Sequence, residues 1–171
     1  MKKNIVLIGF MGSGKTTFGK KLSRRMGYQF IDTDKWIESR QGKRISRIFE
    51  EEGEAFFRKL EAETVKEISQ SQGLIIGTGG GIVKNDNSME LLKEGGVIVY
   101  LKATPEHIFK NVANDKTRPL LQTSDKMETI QNLMKERTPV YKRWADVTVD
   151  VTGGTVNQVC GRIIKALEGR I

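Results

Sequence analysis

Residues 9–17, with the sequence GFMGSGKTT, constrain the fold of this chain more than any other stretch. They match G-x-x-x-x-G-K-[ST], the pattern of a phosphate-binding loop that joins a buried strand to a helix. The flanks have that character, because residues 4–8 are nearly all apolar and Phe18, Leu22 and Met26 recur at four-residue steps, the spacing of one helix face. The backbone N–H groups of such a turn and the positive end of the helix favour phosphate. The chain is therefore predicted to bind a nucleotide, ATP or GTP.

Single residues of this loop have distinct predicted roles. Lys15 is expected to reach the β- and γ-phosphates, and the hydroxyl of Thr16 to take a place on Mg²⁺. The glycines allow the backbone to approach an anion without Cβ obstruction. The residues predicted to contact the nucleotide are Gly12, Ser13, Gly14, Lys15, Thr16 and Thr17.

Length and composition indicate one domain in a reducing compartment. A chain of 171 residues is large enough to close a single core, and none of its apolar runs approaches the length of a membrane span. The basic residues 1–3 are followed by the phosphate loop rather than by a signal-peptide cleavage site. The single cysteine, Cys160, excludes an internal disulfide framework and is interpreted as a packing residue. We therefore expect a cytoplasmic protein that does not bind a membrane.

The net charge of +8 requires a separate interpretation. Lysine and arginine are scattered along the chain, without a long block and without interleaved aromatic residues. This pattern favours a solvated mixed surface over a nucleic-acid groove, so we expect no nucleic-acid partner. An enzyme whose ligands are all anions also gains from a positive field.

Strand-like and helix-like segments alternate along the chain. The predicted strands are residues 4–8, 28–31, 74–76, 97–101 and 147–151. The first predicted helix follows the phosphate loop, and further helices are predicted at residues 35–41, 53–71, 126–144 and 156–167. Three shorter helices are predicted: one with Ser46 as its N-cap, one around residues 89–92 that ends at Gly95 and Gly96, and one that begins with Thr104 and Pro105. Pro139 is expected to bend or break the helix at 126–144. This alternation predicts an α/β sandwich with a mostly parallel sheet.

Two carboxylates follow the second predicted strand. Asp32 and Asp34 are two residues apart, so in an extended segment their side chains point the same way. Asp32 is suited to the metal shell, and Asp34 to an acceptor hydroxyl as hydrogen-bond acceptor or base. The third strand offers no carboxylate, because it runs into residues 77–81, GTGGG. The alternative is a pair of helix N-cap residues.

Other candidate residues have ordinary structural explanations when each is taken alone. Arg58 with Glu61 fits a solvated ion pair one helical turn apart, and Arg137 fits a surface helix residue. The glycines at 79–81 end a strand, where ligands of open α/β sheets bind, and suggest close backbone approach to a ligand. His107 is interpreted as packing rather than catalysis, because catalytic partners are missing beside it.

Residues 111–124 are polar and are the best candidate for a mobile lid. Arg118 lies in this segment, before a proline. An arginine there could close over the γ-phosphate as an arginine finger supplied by the same chain. Taken alone, such a residue is usually just exposed.

As a joint set, these motifs resemble those of the shikimate kinases, in order and spacing and across essentially the whole chain. The matching motifs are GFMGSGKT from Gly9, Asp32-Thr33-Asp34, Phe57-Arg58 with Glu61, the three glycines at 79–81, Arg118-Pro119-Leu120-Leu121, and Arg137-x-x-x-Tyr141. The resemblance implies a P-loop kinase fold like that of nucleoside monophosphate kinases: a three-layer α/β sandwich whose five-stranded parallel sheet has the order 2-3-1-4-5. It also implies one domain over residues 1–171, with substrate-binding helices at about 32–62 and a lid at about 111–124.

The resemblance implies an activity and a site. The activity is transfer of the γ-phosphoryl group of ATP to the 3-hydroxyl of shikimate, in the pathway to chorismate and the aromatic amino acids. The implied catalytic residues are Lys15, Asp34 and Arg118. For Mg²⁺ the resemblance implies Thr16 and Asp32, and for ATP the loop residues together with Arg118. For shikimate it implies Asp34, Arg58, Gly80, Gly81 and Arg137, with the two arginines gripping the carboxylate.

One position departs from the family pattern. Many members carry an arginine seven residues before the lid arginine, stacked on adenine, whereas this chain has Asn111 there, with Lys110 beside it. Members are commonly monomeric, so we expect a monomer.

Other functions predict different features. Another small-molecule kinase on the same fold, such as a gluconate or nucleoside monophosphate kinase, is the nearest rival. Nucleoside monophosphate kinases usually carry several arginines in the lid, whereas Arg118 is the only one here, and paired acceptor-side arginines favour a substrate with a carboxylate. A regulatory GTPase lacks support, because the Asn-Lys-x-Asp and Asp-x-x-Gly motifs are missing. A nucleic-acid-linked ATPase rests on net charge alone.

Overall fold

The computed structural model describes residues 2–113, 121 and 124–171. Strands and helices alternate through these residues. The strands are β1 Asn4–Ile8, β2 Gln29–Asp32, β3 Leu74–Gly77, β4 Gly96–Lys102 and β5 Val147–Asp150. The helices are α1 Lys15–Met26, α2 Thr33–Gln41, α3 Ile45–Glu52, α4 Glu54–Ile68, α5 Asp86–Gly95, α6 Pro105–Val112, α7 Lys126–Trp144 and α8 Val156–Leu167, and Ile82–Lys84 forms one turn of 3₁₀ helix.

The strands form one parallel sheet with the order β2-β3-β1-β4-β5, as the family resemblance implies. The central strand β1 is buried along its whole length, with Ile5 opposite both Ile75 and Val97. Strand β5 lies at one edge of the sheet, and its Thr148 and Asp150 side chains are exposed. Because β1 is central, the loop that follows it opens in the middle of the carboxyl edge of the sheet.

Helices cover the sheet in two further layers. Helices α1 and α8 pack against each other, α1 against β3 and β1, and α8 against β5. Helices α5 and α7 pack against β4, and α4 packs against α5. The strand residues between these layers make up the centre of the hydrophobic core. The predicted three-layer α/β sandwich is therefore confirmed.

The region of Asp32 and Asp34 differs from its prediction. Strand β2 ends at Asp32, which is the N-cap of α2, and α2 begins at Thr33 rather than at Lys35. Asp34 therefore lies in the first turn of a helix, and the argument from an extended segment was wrong for it. The physical reason is capping, because one carboxylate oxygen of Asp32 accepts hydrogen bonds from the N–H groups of Asp34 and Lys35, at 3.0 and 3.2 Å.

Three other helix predictions need correction. The N-cap of α3 is Arg44, without a side-chain cap, rather than Ser46, which lies inside the helix. Helix α4 ends at Ile68 rather than near residue 71. Helix α7 is continuous through Pro139, so a division there was wrong. Helix α8 has the predicted bounds, and its first turn is closed by a capping box between Thr155 and Gln158.

The predictions of a lid and of the absence of a membrane span are compared here with the described residues. The proposed lid at 111–124 lies largely outside the described residues, and so does Arg118. Among the helices of the described ranges, none is long and apolar enough to cross a membrane.

Candidate active site

A cleft of about 610 Å³ opens at the carboxyl edge of the sheet. It brings together residues from distant parts of the sequence: the phosphate loop, the end of β2, the segment after β3 and helix α7. Of the predicted site residues, those that line it are Gly12, Ser13, Gly14, Lys15, Thr16, Thr17, Asp32, Asp34, Gly80 and Arg137. Arg58 and Gly81 do not line it and lie beside it, as described below. Arg118 lies outside the described residues.

The loop between β1 and α1 is built around glycines in the left-handed region. Gly12 has a φ of +77° and Gly14 a φ of +100°, and the N–H of Ser13 donates to the carbonyl of Phe10 at 3.1 Å. The ammonium group of Lys15 donates to the carbonyls of Gly9 and Phe10, at 2.5 and 3.3 Å. This places a positive charge over the loop, where the α1 N-terminus also points, so the region is electropositive.

The side chains of Thr16 and Asp32 meet at the entrance to α1. The Thr16 hydroxyl donates to Asp32 Oδ2 at 3.2 Å, while Asp32 Oδ1 caps α2. A hydroxyl and a carboxylate oxygen are ligands that suit Mg²⁺, which is typically held by one or two carboxylates, waters and substrate phosphates. Over the described residues there is no cluster of three or more His, Cys, Asp or Glu side chains able to hold a metal. The pair fits a metal that depends on the nucleotide for part of its coordination shell.

Asp34 lies directly against the backbone of Gly79. A Cβ atom at position 79 would lie 2.3 Å from Asp34 Oδ1, a distance that no side chain tolerates. The N–H of Gly79 donates to the Thr33 hydroxyl at 2.8 Å, which ties the start of α2 to the end of β3. The first glycine of the GGG run therefore makes room for a carboxylate of the protein, a purpose that the sequence did not reveal.

Arg58 occupies the corresponding space at Gly81. A Cβ atom there would lie 1.7 Å from Arg58 Nη1, so glycine lets the guanidinium rest on the backbone next to the cleft. Arg58 donates to Glu61 Oε1 at 2.6 Å and to Glu54 Oε1 at 3.3 Å. The sequence left a solvated pair as the alternative, but the Glu61 side chain is only 5 % exposed.

The ionisation of this pair reflects its burial. Burial raises the pKa of Glu61 above its usual range, and the hydrogen bond and charge of Arg58 offset part of that rise. Burial lowers the pKa of Arg58, but the hydrogen bonds and charges of Glu61 and Glu54 outweigh it and raise that pKa overall. The pair is thus held by a charged hydrogen bond in a partly desolvated environment.

Arg137 is buried in the wall of the cleft. It is 9 % exposed, although the sequence alone allowed a surface position. Its guanidinium carbon lies 5.7 Å from the centroid of the Phe10 ring, and its Nη1 lies 3.5 Å from where a Cβ of Gly80 would be. The contact with Phe10, in the phosphate loop, has no signal in the sequence.

The far end of the cleft contains residues to which the sequence assigned no role in binding. His107 and Asn111 line it from α6, and Asn111 donates to the carbonyl of Gly12 at 2.7 Å. His107 is partly exposed rather than purely a packing residue. Further lining residues follow β5 or lie at the start of α8; they are Val151, Gly154, Thr155, Val156 and Val159. The two glycines before the capping box of α8 were the available signal for this segment.

Comparison with protein families and curated relatives gives one consistent result. The family model described as shikimate kinase matches residues 11–168. A shikimate kinase of Caldanaerobacter subterraneus subsp. tengcongensis is 46% identical over 98% of this chain and 99% of its own length. One from Thermoanaerobacter pseudethanolicus is 45% identical over 96% of this chain and 95% of its own.

Solved structures agree with the sequence relatives. A shikimate kinase from Acinetobacter baumannii in complex with shikimate superposes with a TM-score of 0.92 at 35% identity, covering 99% of this chain and 95% of that one. The shikimate kinase from Aquifex aeolicus has a TM-score of 0.84 at 38% identity, covering 98% of this chain and 97% of that one. Sequence, fold and cleft agree, and the chain belongs to the shikimate kinase family of phosphotransferases, which phosphorylate shikimate with ATP.

Proposed function

We propose that this chain transfers the γ-phosphoryl group of ATP to the 3-hydroxyl of shikimate, with Mg²⁺, at the cleft described above. The observation that carries the proposal is the convergence of the phosphate loop, Asp34 and Arg137 on a single cleft. The phosphate loop supplies an anion site, Asp34 a proton acceptor, and Arg137 a cation on the acceptor side. A phosphoryl donor and a carboxylate-bearing alcohol suit these three elements.

At the nucleotide end, the loop N–H groups and Lys15 hold the phosphates. Lys15 leaves the carbonyls of Gly9 and Phe10 for the phosphate oxygens, because a charged acceptor binds an ammonium more strongly than a carbonyl does. It then stabilises the charge on the transferring group. The remaining ATP-binding residues are Gly12, Ser13, Gly14, Thr16 and Thr17.

Thr16 and Asp32 are the proposed protein ligands of Mg²⁺, Asp32 directly or through water. When bound, the ion neutralises phosphate charge. The hydroxyl–carboxylate contact at 3.2 Å supports this assignment, since both oxygens already face the same point at the end of the loop.

At the acceptor end, Asp34 is the proposed base. Its carboxylate accepts the proton of the substrate hydroxyl while that oxygen forms a bond to the γ-phosphorus and the bond from phosphorus to the ADP oxygen breaks. Gly79 supports Asp34 from behind, and the backbone of Gly80 and Gly81 supports the ring of the substrate.

Arg58 and Arg137 are the proposed ligands of the shikimate carboxylate. The planar guanidinium suits two parallel hydrogen bonds to a carboxylate. Arg118 is proposed to stabilise the transferring phosphoryl group from the lid, on the family resemblance alone, and its loss is expected to lower kcat.

We further propose that the chain acts as a cytoplasmic monomer without a nucleic-acid partner. The free, buried Cys160 agrees with a reducing compartment. The positive net charge is explained by two anionic substrates.

The test is Mg²⁺-dependent ADP formation from ATP with shikimate, gluconate, AMP, CMP or no acceptor. The proposal expects stimulation by shikimate alone. Activity with a nucleotide or gluconate instead would contradict the acceptor site while leaving the phosphate loop intact.

Two variants test the carboxylate site. Arg58→Ala and Arg137→Ala are expected to weaken shikimate binding by about 2–5 kcal/mol and to leave ATP binding intact, because each removes a charged hydrogen bond to the carboxylate. The measurement is KM for each substrate. An unchanged KM for shikimate in both variants would contradict the assignment of Arg58 and Arg137 as ligands of the carboxylate.

A further inference from the structure

The two acceptor-side arginines have different partners. Arg58 pairs with Glu61 and Glu54. Within the described ranges, Arg137 has no carboxylate within 4.0 Å, and its Nε has no hydrogen-bond partner. Charged side chains as buried as this one are normally paired, whereas the neighbours of Arg137 here are the Tyr141 hydroxyl, one turn along α7, and an aromatic ring.

The aromatic ring of Phe10 lies against Arg137. The guanidinium carbon is over the ring at 5.7 Å from its centroid, within the range of a cation–π interaction. Phe10 is 2 % exposed, so its ring is fixed by the surrounding core. Its backbone is fixed too, because its carbonyl accepts from the Ser13 N–H and from Lys15.

We infer that Phe10 is a positioning residue for the substrate carboxylate: its ring face holds the Arg137 guanidinium in the wall of the cleft, in place of a protein carboxylate. The inference rests on the proposed function, since it assumes that Arg137 binds shikimate. A carboxylate beside Arg137 would compete with that of the substrate for the same N–H groups. A ring face attracts the cation without occupying those donors, because the attraction is to the quadrupole.

The two arginines consequently have different roles in binding the substrate carboxylate. Arg58 is largely neutralised by its glutamates and orients the substrate. Arg137, which has no carboxylate partner among the residues that the structure describes, supplies a positive charge in a desolvated position, where a charge acts strongly. The phosphate loop thereby takes part in acceptor binding, through the side chain of its second residue.

The experiment weakens the quadrupole of the Phe10 ring in steps while the ring remains planar and six-membered. Phe10 is replaced in the full chain by 4-fluoro-, 3,5-difluoro- and pentafluorophenylalanine, and shikimate affinity is measured by calorimetry together with KM and kcat. The expected result is a stepwise loss of shikimate affinity with each fluorination. Phe10→Leu is expected to raise KM for shikimate roughly three- to thirtyfold, with kcat and KM for ATP nearly unchanged.

Phe30→Leu is the matched control. It also removes a ring that packs against the main core, one that lies over Gly19 of α1 and beside Gly77 at the end of β3, and it is expected to leave KM for shikimate unchanged. Equal shikimate affinity across the fluorinated series would overturn the inference, and so would a loss in Phe10→Leu that affects ATP and shikimate alike. If Phe10→Leu does not fold, the fluorinated series decides alone.

Failure of this inference is distinguishable from failure of the proposed function. If the unmodified chain does not phosphorylate shikimate, the proposed function fails first. If it does so, and the fluorinated chains bind shikimate normally, only the role of Phe10 is wrong.

Discussion

At the scale of single residues, the site depends on side chains that rest on glycine backbone. Asp34 lies against Gly79 and Arg58 against Gly81, at distances that leave no room for a Cβ atom. Neither glycine has a positive φ, so the requirement is for space rather than for an unusual backbone conformation. The space that a Cβ atom would fill at Gly79 and at Gly81 is thus occupied by the Asp34 carboxylate and by the Arg58 guanidinium.

Gly79→Ala is expected to lower kcat by about ten- to hundredfold with ATP binding intact. The added Cβ at 2.3 Å from Asp34 Oδ1 forces the carboxylate away, and a displacement of about 1 Å at a reacting group can cost a hundredfold in rate. Steady-state kinetics and nucleotide binding measure the two effects. Gly161→Ala is the control, because a Cβ there meets no atom within 4 Å. An unchanged kcat in Gly79→Ala would remove Asp34 from the reaction.

Glu61→Gln is expected to raise KM for shikimate roughly ten- to hundredfold, since a charged hydrogen bond that orients Arg58 is lost. In the unmodified chain, KM for shikimate is expected to rise as pH falls through the raised pKa of Glu61, because protonation neutralises the partner of Arg58. The raised pKa of Glu61 also affects stability, and here the favourable direction is low pH. Because the pKa is higher in the folded than in the unfolded state, the free energy of unfolding falls as pH rises from the unfolded-state pKa to the folded-state pKa.

A pH series of KM and of denaturant unfolding checks both signs of the Glu61 prediction. Glu63→Gln is the matched control, on the same helix but exposed. A KM for shikimate that follows the same pH profile in Glu61→Gln and in the unmodified chain would contradict it.

At the scale of elements, helices α2 to α4 share a second, smaller hydrophobic cluster. Ile37, Ile48 and Phe57 make a hydrophobic cluster separate from the main core, with further apolar side chains packed against it. Arg58 lies on α4, next to Phe57 of this cluster, whereas Arg137 lies on α7. Helix α4 also contributes Val65 and Ile68 to the main core, so it links the cluster around Arg58 to the core beside Arg137.

Two glycine variants, one inside a helix and one between two helices, test the local backbone at this scale. Gly161→Ala, inside α8, is expected to raise the free energy of unfolding by about 0.5–1 kcal/mol, because alanine restricts the unfolded chain and fits the helix. Gly53→Ala is expected to lower it by about 1–3 kcal/mol, because Gly53 joins α3 to α4 at φ +88° and ψ 171°. Neither added Cβ meets an atom within 4 Å, so only the backbone differs. Urea unfolding measures both changes. A change of the same sign in the two variants would contradict the prediction that backbone conformation decides the effect.

At the scale of the whole molecule, the described parts of the candidate site gather at one edge of the sheet. The central position of β1 places the phosphate loop between β3, with its glycines, and β4. The proposed Mg²⁺ pair joins the start of α1 to the end of β2 across this edge. Ligand binding at such a junction stabilises the fold as a unit.

Mg²⁺ with ADP is expected to raise the melting temperature by about 5–10 °C at a hundredfold excess over Kd, from about 2.7 kcal/mol of linkage. ADP with a chelator is expected to give a smaller rise, because Thr16 and Asp32 then have no ion to share with the phosphates. Differential scanning calorimetry measures both. Equal rises with and without Mg²⁺, or a Thr16→Val variant that keeps the full difference, would contradict the metal assignment.

The local sequence by itself determined the phosphate loop, the order of strands and helices, and the ends of β1 and α8. Each is a pattern over neighbouring residues: an apolar run, a helical spacing, or glycines that permit a turn. The strand order and the identity of the acceptor came from the whole set of motifs, through resemblance to a family. No single motif carried them, because strand order depends on how distant segments pack.

Only the tertiary structure decided how the site side chains meet. Capping by Asp32 moved Asp34 from an extended segment into a helical turn. Packing of α4 beside the GGG run buried Glu61, and packing of α7 against the phosphate loop brought Arg137 over Phe10. These contacts join residues far apart in the chain, so their burial, and with it the pKa of Glu61 and the pairing of each arginine, follows from the packing of whole elements rather than from local spacing.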